Sequence, residues 1–124
     1  AMNGNKLFVD TNILIYLLQG ESDIVNILNE KDIVISVITE LELKSFNGLS
    51  HDDSVLIEQL INECQVINLN SEIKRLAIEF RKSRKLKLPD AIVAASAHYS
   101  KLPLFTADKQ FEKVEELDVI IFEM

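Results

Sequence analysis

The sequence is poor in the residues that build several common classes of site. Cys64 is its only cysteine, which excludes an internal disulfide and a zinc site made of cysteines. The two histidines, His51 and His98, are not clustered, and neither is obviously placed to activate Cys64. We therefore expect a cytoplasmic chain in which Cys64 is a small buried apolar residue rather than a catalytic thiol.

Long apolar runs are also missing. No uncharged apolar stretch reaches the roughly 18 residues that a membrane span requires, and the short polar start of the chain does not predict a signal peptide. The 124 residues, 48% of them hydrophobic, suffice for one domain with its own core. We expect that single domain over residues 2–124 and interpret Ala1, which precedes Met2, as an addition to the natural chain.

Positive charge is scarce, because 20 acidic and 13 basic residues give a formal net charge of -7. This balance argues against a nucleic-acid partner, since phosphate binding usually needs a basic surface. Seven of the 13 cations, however, lie between residues 74 and 87, where they form either a nucleic-acid contact or a solvated helix face. Bound metal would also change the balance, since two divalent cations would bring the formal charge to about -3.

What the sequence does contain is an alternation of short apolar runs with helical patterns. Strands are predicted at residues 7–9, 32–37, 66–69, 102–106 and 119–122. Helices are predicted at residues 11–18, 23–29, 39–46, 52–64, 72–84, 89–97 and 111–117. This order predicts an α/β fold with a mostly parallel sheet between helices. Ligands of such sheets bind beyond the carboxyl ends of the strands.

Apolar spacing predicts which side chains face the core. In the helix 72–84 these are Ile73, Leu76, Ala77 and Phe80, and in the helix 52–64 they are Val55, Leu56, Leu60 and Ile61. Phe46, Phe80 and Phe111 are predicted to be core residues rather than platforms for stacking bases, and His98 a packed or half-exposed histidine.

Three of four acidic residues lie beyond the carboxyl end of a predicted strand, where the sheet rule places a site, and the fourth begins a helix that could bring it to the same edge. Asp10 and Asp108 follow predicted strands, Glu42 lies in the first turn of the helix after the second strand, and Asp90 opens the helix after Pro89. Carboxylates crowded without cations repel, and some of them stay protonated. We therefore expect a shared pocket that binds Mg²⁺ or Mn²⁺, which prefer oxygen ligands.

Each of these acids also has a local explanation. Asp10 or Asp108 could cap the following helix, and Asp90 in a first turn is favoured by the helix dipole. Thr39 and Glu42 fit a capping box, in which Thr39 is the N-cap and Glu42 reaches back to it. Taken singly, each acid fits its local explanation better, and only the four together favour a pocket.

Four short motifs follow one another in a fixed order along the chain. They are Phe8-Val9-Asp10-Thr11-Asn12, Ser36-x-x-Thr39-x-x-Glu42-Leu43, Pro89-Asp90-Ala91-Ile92-x-Ala94-Ala95-x-Ala97 and Thr106-x-Asp108-x-x-Phe111. In this order they resemble the motifs of PIN domains, and most closely those of the VapC-like toxins of toxin–antitoxin pairs. The resemblance runs from about residue 6 to the C-terminus. It implies a three-layer α/β/α sandwich with a carboxylate pocket at one edge of a short, mostly parallel sheet.

The resemblance also implies roles for individual residues. Asp10, Glu42, Asp90 and Asp108 are implied as the catalytic acids that hold one or two Mg²⁺ or Mn²⁺ ions. Polar neighbours that would orient carboxylates or water are Thr11, Asn12 and Thr106, although Asn12 could equally hydrogen-bond to nearby backbone. Glu40 stands at a variable position and is interpreted as surface charge. Ala107 stands where Arg or Asn often occurs, so a substrate contact of relatives is missing.

The implied activity is hydrolysis of RNA phosphodiester bonds by a metal-activated water, which leaves a 5′-phosphate and a 3′-hydroxyl. Lys85, Lys87 and Lys109 lie close to Asp90 or Asp108 in the sequence and are expected to contact the RNA backbone. The resemblance further implies a homodimer that is silenced by a small antitoxin.

Two alternatives stay open, a non-catalytic RNA- or protein-binding module on the same fold and a housekeeping PIN nuclease without an antitoxin. A phosphotransfer domain with Asp10 as acceptor fits less well, because Asn12 stands where a phosphatase of that kind needs a second aspartate.

Overall fold

The computed structural model describes residues 5–123. It contains a five-stranded parallel sheet that lies between helices. Ala1 and the expected domain limits at Met2 and Met124 therefore lie outside the described residues. The strands are β1 (Lys6–Val9), β2 (Asp32–Ser36), β3 (Gln65–Ile67), β4 (Leu104–Thr106) and β5 (Val119–Ile121), in the spatial order β3-β2-β1-β4-β5. The helices are α1 (Thr11–Leu18), α2 (Ser22–Leu28), α3 (Val37–Lys44), α4 (His51–Asn62), α5 (Ser71–Arg84), α6 (Leu88–Ser100) and a 3₁₀ helix (Lys109–Lys113). The predicted α/β fold is confirmed.

The sheet separates two hydrophobic cores. Successive side chains of a strand point to opposite faces, so Phe8 in β1 packs on one side and its neighbours Leu7 and Val9 on the other. The core around Phe8 also contains the buried faces of α5 and α6. The second core is filled from α1, α2, α3 and α4. This arrangement is the predicted three-layer sandwich.

Helix α5 buries the face that its spacing predicts. Ile73, Leu76, Ala77 and Phe80 are all buried, and they pack near the alanine-rich helix α6, whose small side chains let two helices approach closely. The basic run lies along the exposed face of α5, where Arg75 pairs with Glu72. For α5, therefore, much of this run is a solvated helix face.

The start of α3 differs from the prediction. β2 ends at Ser36, whose hydroxyl accepts a hydrogen bond from the N–H of Ile38, so α3 begins at Val37 rather than Thr39. The predicted capping box of Thr39 and Glu42 is wrong, because Thr39 lies inside the helix and Glu42 in its second turn. Ser36 takes the N-cap position instead of Thr39.

Three expected core positions, Phe46, Val55 and Leu56, are exposed. Phe80 and Phe111 are fully buried as predicted, but Phe46 is 46% exposed, because it follows the end of α3. On α4, Val55 and Leu56 are exposed, whereas Ile57 and Ile61 are buried. The apolar stripe of α4 is wider than the face that the sheet can cover, and only part of it is buried.

Cys64 is partly buried rather than buried. Its thiol donates a hydrogen bond to the backbone oxygen of Leu60, and partial burial raises its pKa to about 11. A thiol with that pKa stays protonated near neutral pH, which does not suit a nucleophile. Within the described range, none of the helices is long and apolar enough to cross a membrane.

Candidate active site

The two central strands bring Asp10 to the carboxyl edge of the sheet. Asp10 directly follows β1, and Thr106 ends the neighbouring strand β4. The hydroxyl of Thr106 donates to Oδ2 of Asp10 at 2.7 Å, and the N–H of Thr11 donates to Oδ1 at 2.8 Å. Both oxygens of this buried carboxylate are therefore held in place. Asp10 is also the N-cap of α1, so the local explanation and the pocket coexist.

Thr11 links α1 to the acid on α3. Its hydroxyl donates to Oε1 of Glu42 at 2.7 Å and lies 2.9 Å from the hydroxyl of Thr39. Both threonines are buried, whereas Glu42 is exposed at the pocket. Because Glu42 and Thr39 are three residues apart on α3, they share one face of that helix. This pairing, rather than a helix cap, explains the position of Thr39.

Asp90 and Asp108 are joined by a residue that the sequence analysis missed. Nε2 of Gln110 donates to Oδ2 of Asp90 at 3.0 Å and to Oδ2 of Asp108 at 2.6 Å. The backbone N–H of Gln110 also donates to Oδ1 of Asp108 at 3.0 Å, with Asp108 as N-cap of the 3₁₀ helix. Asp108 is further fixed by its own N–H, which donates to the hydroxyl of Thr106.

One pocket of about 460 Å³ contains all four predicted acids in its lining. Its other lining residues are Thr11, Asn12, Ile15, Ser45 and Phe46. Each acid comes from a different part of the chain, since Asp10 follows β1, Glu42 lies on α3, Asp90 on α6 and Asp108 beyond β4. The structure thus brings together every residue that was predicted as an acidic ligand.

Burial and neighbouring charges raise the pKa of two of these carboxyl groups, those of Asp10 and Asp90. The pKa of Asp10 is raised, mainly by burial and further by the charges of Asp90 and Asp108, although its hydrogen bonds act in the opposite direction. The pKa of Asp90 is also raised, first by burial and then by Asp108 and Glu42. Both groups are strained as anions, which is the condition that a bound cation relieves.

The donor set suits a hard divalent cation, because all four acids offer carboxylate oxygens and no thiol or imidazole lines the pocket. The side chains are not drawn together around a metal position, however. Among residues 5–123, no group of three or more Asp, Glu, His or Cys side chains is arranged to hold an ion. Between Asp90 and Asp108 stands the amide nitrogen of Gln110.

The three lysines expected to contact RNA have different surroundings. Lys87 is exposed at the N-cap of α6, and its charge lowers the pKa of Asp90, so it acts on the pocket. Lys85 is exposed at the end of α5. Lys109 pairs with Glu123 at 2.9 Å in an exposed ion pair. Of the three, Lys87 is the one whose charge affects a pocket acid.

Phe46, which lines the pocket, and Gln110, which contacts two of its acids, were missed for different reasons. Phe46 lies four residues after Glu42, a spacing that would put both on one side of the predicted helix 39–46 and could have located it, although α3 ends at Lys44. Gln110 carries no such signal, because its partner Asp90 lies 20 residues earlier. The remaining candidates lie elsewhere: His98 packs edge-on against Phe80, and Glu40 pairs with Lys44.

Comparison with known families agrees with this geometry. The family model for the PIN domain matches residues 7–117 of the chain. The chain belongs to the PIN domain family. The match spans all four motifs, from Phe8 to Phe111, and so includes every acid of the pocket.

Known relatives of this PIN domain are similar over nearly their whole length. Ribonuclease VapC2 of Methanocaldococcus jannaschii is 25% identical over 96% of this chain and 95% of that protein. A toxin–antitoxin complex from Klebsiella pneumoniae contains a chain that is 27% identical, with a TM-score of 0.79 and coverage of 95% of this chain and 99% of that one. A chain of VapBC2 from Rickettsia felis, bound to a promoter DNA fragment, has a TM-score of 0.83 at 17% identity. The match covers 95% of this chain and 99% of that one, which shows that the two share a fold.

Proposed function

We propose that this PIN domain is a metal-dependent endoribonuclease, and that it is the toxin of a VapBC-type toxin–antitoxin pair. The name of its relative in Methanocaldococcus jannaschii supports ribonuclease activity, and the Klebsiella pneumoniae complex supports the toxin assignment. The cofactor we propose is Mg²⁺ or Mn²⁺, one or two ions per site, held by Asp10, Glu42, Asp90 and Asp108.

The observation that carries this proposal is the gathering of four acids in one pocket. They come from four separate parts of the chain, and Asp10 and Asp90 have raised pKa values because they are partly or fully removed from water beside other carboxylates. Such an arrangement costs folding free energy, and titratable groups with shifted pKa values in a pocket are typical of functional sites.

In the proposed reaction the chain supplies position and charge rather than a nucleophile. Divalent cations, when bound, would polarise the scissile phosphate and lower the pKa of the attacking water. Thr106 and the N–H of Thr11 fix the orientation of Asp10, and the Thr11 hydroxyl fixes Glu42. These hydrogen bonds keep the carboxylates in position without help from the substrate.

The rim of the pocket offers two kinds of RNA contact. Lys87 beside Asp90 can neutralise a neighbouring phosphate. The exposed ring of Phe46 lies in the same pocket lining as the acids and can stack on an unpaired base. A single-stranded substrate is therefore favoured over a duplex, in which the bases are stacked and unavailable.

The proposed activity is tested by mapping the ends of the cleavage products. Purified protein with Mg²⁺ or Mn²⁺ and total cellular RNA is expected to give fragments whose 5′-phosphates ligate directly to an adapter, without prior treatment with a kinase. EDTA should abolish their formation, and Asp10→Asn protein purified in parallel controls for contaminating nucleases. Products with 5′-hydroxyl ends, or cleavage that EDTA leaves unchanged, would refute the proposal. Binding of Mn²⁺ without any cleavage would favour the non-catalytic module instead.

The proposed partner is a small antitoxin encoded beside this chain. Co-expression is expected to yield a stable complex that no longer cleaves RNA, with this chain present as a homodimer by light scattering. Because the pocket is acidic, we expect the inhibitory segment to place a cationic side chain there. If the adjacent gene product neither binds nor inhibits an active protein, the housekeeping alternative is favoured.

A further inference from the structure

Gln110 occupies a special position between two of the pocket acids. Its side-chain nitrogen carries two hydrogens, and it lies within hydrogen-bond distance of one oxygen of Asp90 and one oxygen of Asp108. Both acceptors are carboxylate oxygens, so the group between them must be the NH₂ end of the amide rather than its carbonyl. Gln110 therefore uses both of its side-chain hydrogens on these acids.

We propose that Gln110 is a latch, which holds Asp90 and Asp108 together in the metal-free protein and must leave them before a divalent cation enters. This inference rests on the proposed metal-dependent function. It assigns a role to Gln110 that is separate from the roles of the acids themselves.

The first argument for the latch is steric. A Mg²⁺ ion that bridges Asp90 and Asp108 needs each oxygen at roughly 2.0–2.1 Å. The NH₂ group already lies within hydrogen-bond distance of Oδ2 of Asp90 and Oδ2 of Asp108, two oxygens that an ion bridging these acids would have to share with it. The nitrogen of an amide does not act as a ligand for such an ion, so the two occupants exclude each other.

The second argument is electrostatic. One nitrogen hydrogen-bonds both Asp90 and Asp108, and Glu42 lines the same pocket, so carboxylates lie close together there and need a donor between them. Hydrogen bonds to a charged carboxylate are among the stronger ones in proteins, and Gln110 donates one to each of these two acids.

A latch lowers the apparent metal affinity, because only the fraction of molecules in which the latch is open can bind the ion. Gln110→Met removes both hydrogens while keeping an unbranched side chain of similar length. Isothermal titration calorimetry with Mn²⁺ is expected to show binding to the variant that is tighter by about 10-fold. In EDTA the variant should melt at a lower temperature than the wild type, because Asp90 and Asp108 lose their donor. Gln59→Met makes the same change at an exposed position of α4 and should alter neither value.

The outcomes separate this inference from the proposed function. Mn²⁺ binding that is equal or weaker in Gln110→Met than in the wild type overturns the latch but leaves the metal site intact. No Mn²⁺ binding to any of the three proteins overturns both proposals.

A direct observation of the amide completes the test. In a ¹⁵N-labelled protein the Gln110 NH₂ signals are those that Gln110→Met lacks. Titration with Mg²⁺ is expected to move them toward the positions of a solvent-exposed glutamine. NH₂ signals that stay unchanged while the signals of Asp90 and Asp108 report binding would overturn the latch.

Discussion

Replacing Asp10 with asparagine is expected to lower RNA cleavage by at least about 100-fold while the domain stays folded. Asp10 is the only buried residue among the four pocket acids, and its oxygens already accept hydrogen bonds from Thr106 and Thr11. Asparagine keeps the shape of the side chain but removes the negative charge that a divalent cation requires. Initial rates on one RNA substrate at saturating Mg²⁺ measure the loss.

Asp32→Asn is the matched control, because it removes one charge from an exposed aspartate at the start of β2, at the other end of the strand from the pocket. Its cleavage rate should stay within about twofold of the wild type. If Asp10→Asn also cleaves at the wild-type rate, the acids are not the catalytic machinery and the pocket has some other use.

The stability of Asp10→Asn should change in the opposite direction to its activity. The pKa of Asp10 is raised in the folded protein, mainly by burial, so the folded chain takes up a proton at higher pH than the unfolded chain does. Ionised Asp10 therefore lowers the free energy of unfolding at neutral pH, and that penalty disappears as the pH falls below the raised pKa. In EDTA near pH 7.5, Asp10→Asn should melt at or above the wild-type temperature.

Lowering the pH then provides the check on this explanation. The difference in melting temperature should shrink as the pH falls below the raised pKa of Asp10, because the wild-type carboxyl becomes protonated in the folded state. A variant that melts well below the wild type near pH 7.5 would mean that the hydrogen bonds to the ionised carboxylate outweigh the cost of its burial.

The helix that carries Glu42 shows where sequence patterns mislead. Thr39 and Glu42 have the spacing of a capping box, but Ser36 offers an equally good N-cap three residues earlier. Ser36 takes that position because it is the last residue of β2 paired with β3, opposite Ile67. Thr39 is then free to bond Thr11, 28 residues away in the sequence. No local pattern contains that contact.

Helix α5 shows the opposite case. Its four inward residues were predicted correctly, because 14 residues give nearly four turns in which an apolar period can be read. The edge of the sheet that holds Asp10 and Asp108 was also predicted, since the sheet rule depends only on which strand each one follows, whereas Asp90 follows no strand and was assigned by the family resemblance. Their fine geometry was not, because it depends on distant partners such as Thr106 and Asp10, which are 96 residues apart.

Truncating Phe80 to alanine is expected to lower the free energy of unfolding by about 3–5 kcal/mol. The ring is fully buried among residues of α5 and α6, in the core on the side of the sheet that also holds Phe8. Small neighbours such as Ala77 and Ala94 cannot expand to fill the space that the ring leaves. Since the free energy of unfolding of such domains is only about 5–15 kcal/mol, this substitution removes a large part of it.

Urea denaturation followed by circular dichroism measures the effect, with an unchanged slope if only the native state is affected. Ile78→Ala is the matched control, because Ile78 lies on the same helix but is 57% exposed, and its loss should cost no more than about 1 kcal/mol. An equal loss of stability in both variants would contradict the burial of the Phe80 face.

Phe80 does not line the acid pocket, so the folded fraction of Phe80→Ala should still cleave RNA at low temperature. Stability and catalysis would then be separable in this domain, since one depends on the α5 and α6 core and the other on the carboxyl edge of the sheet.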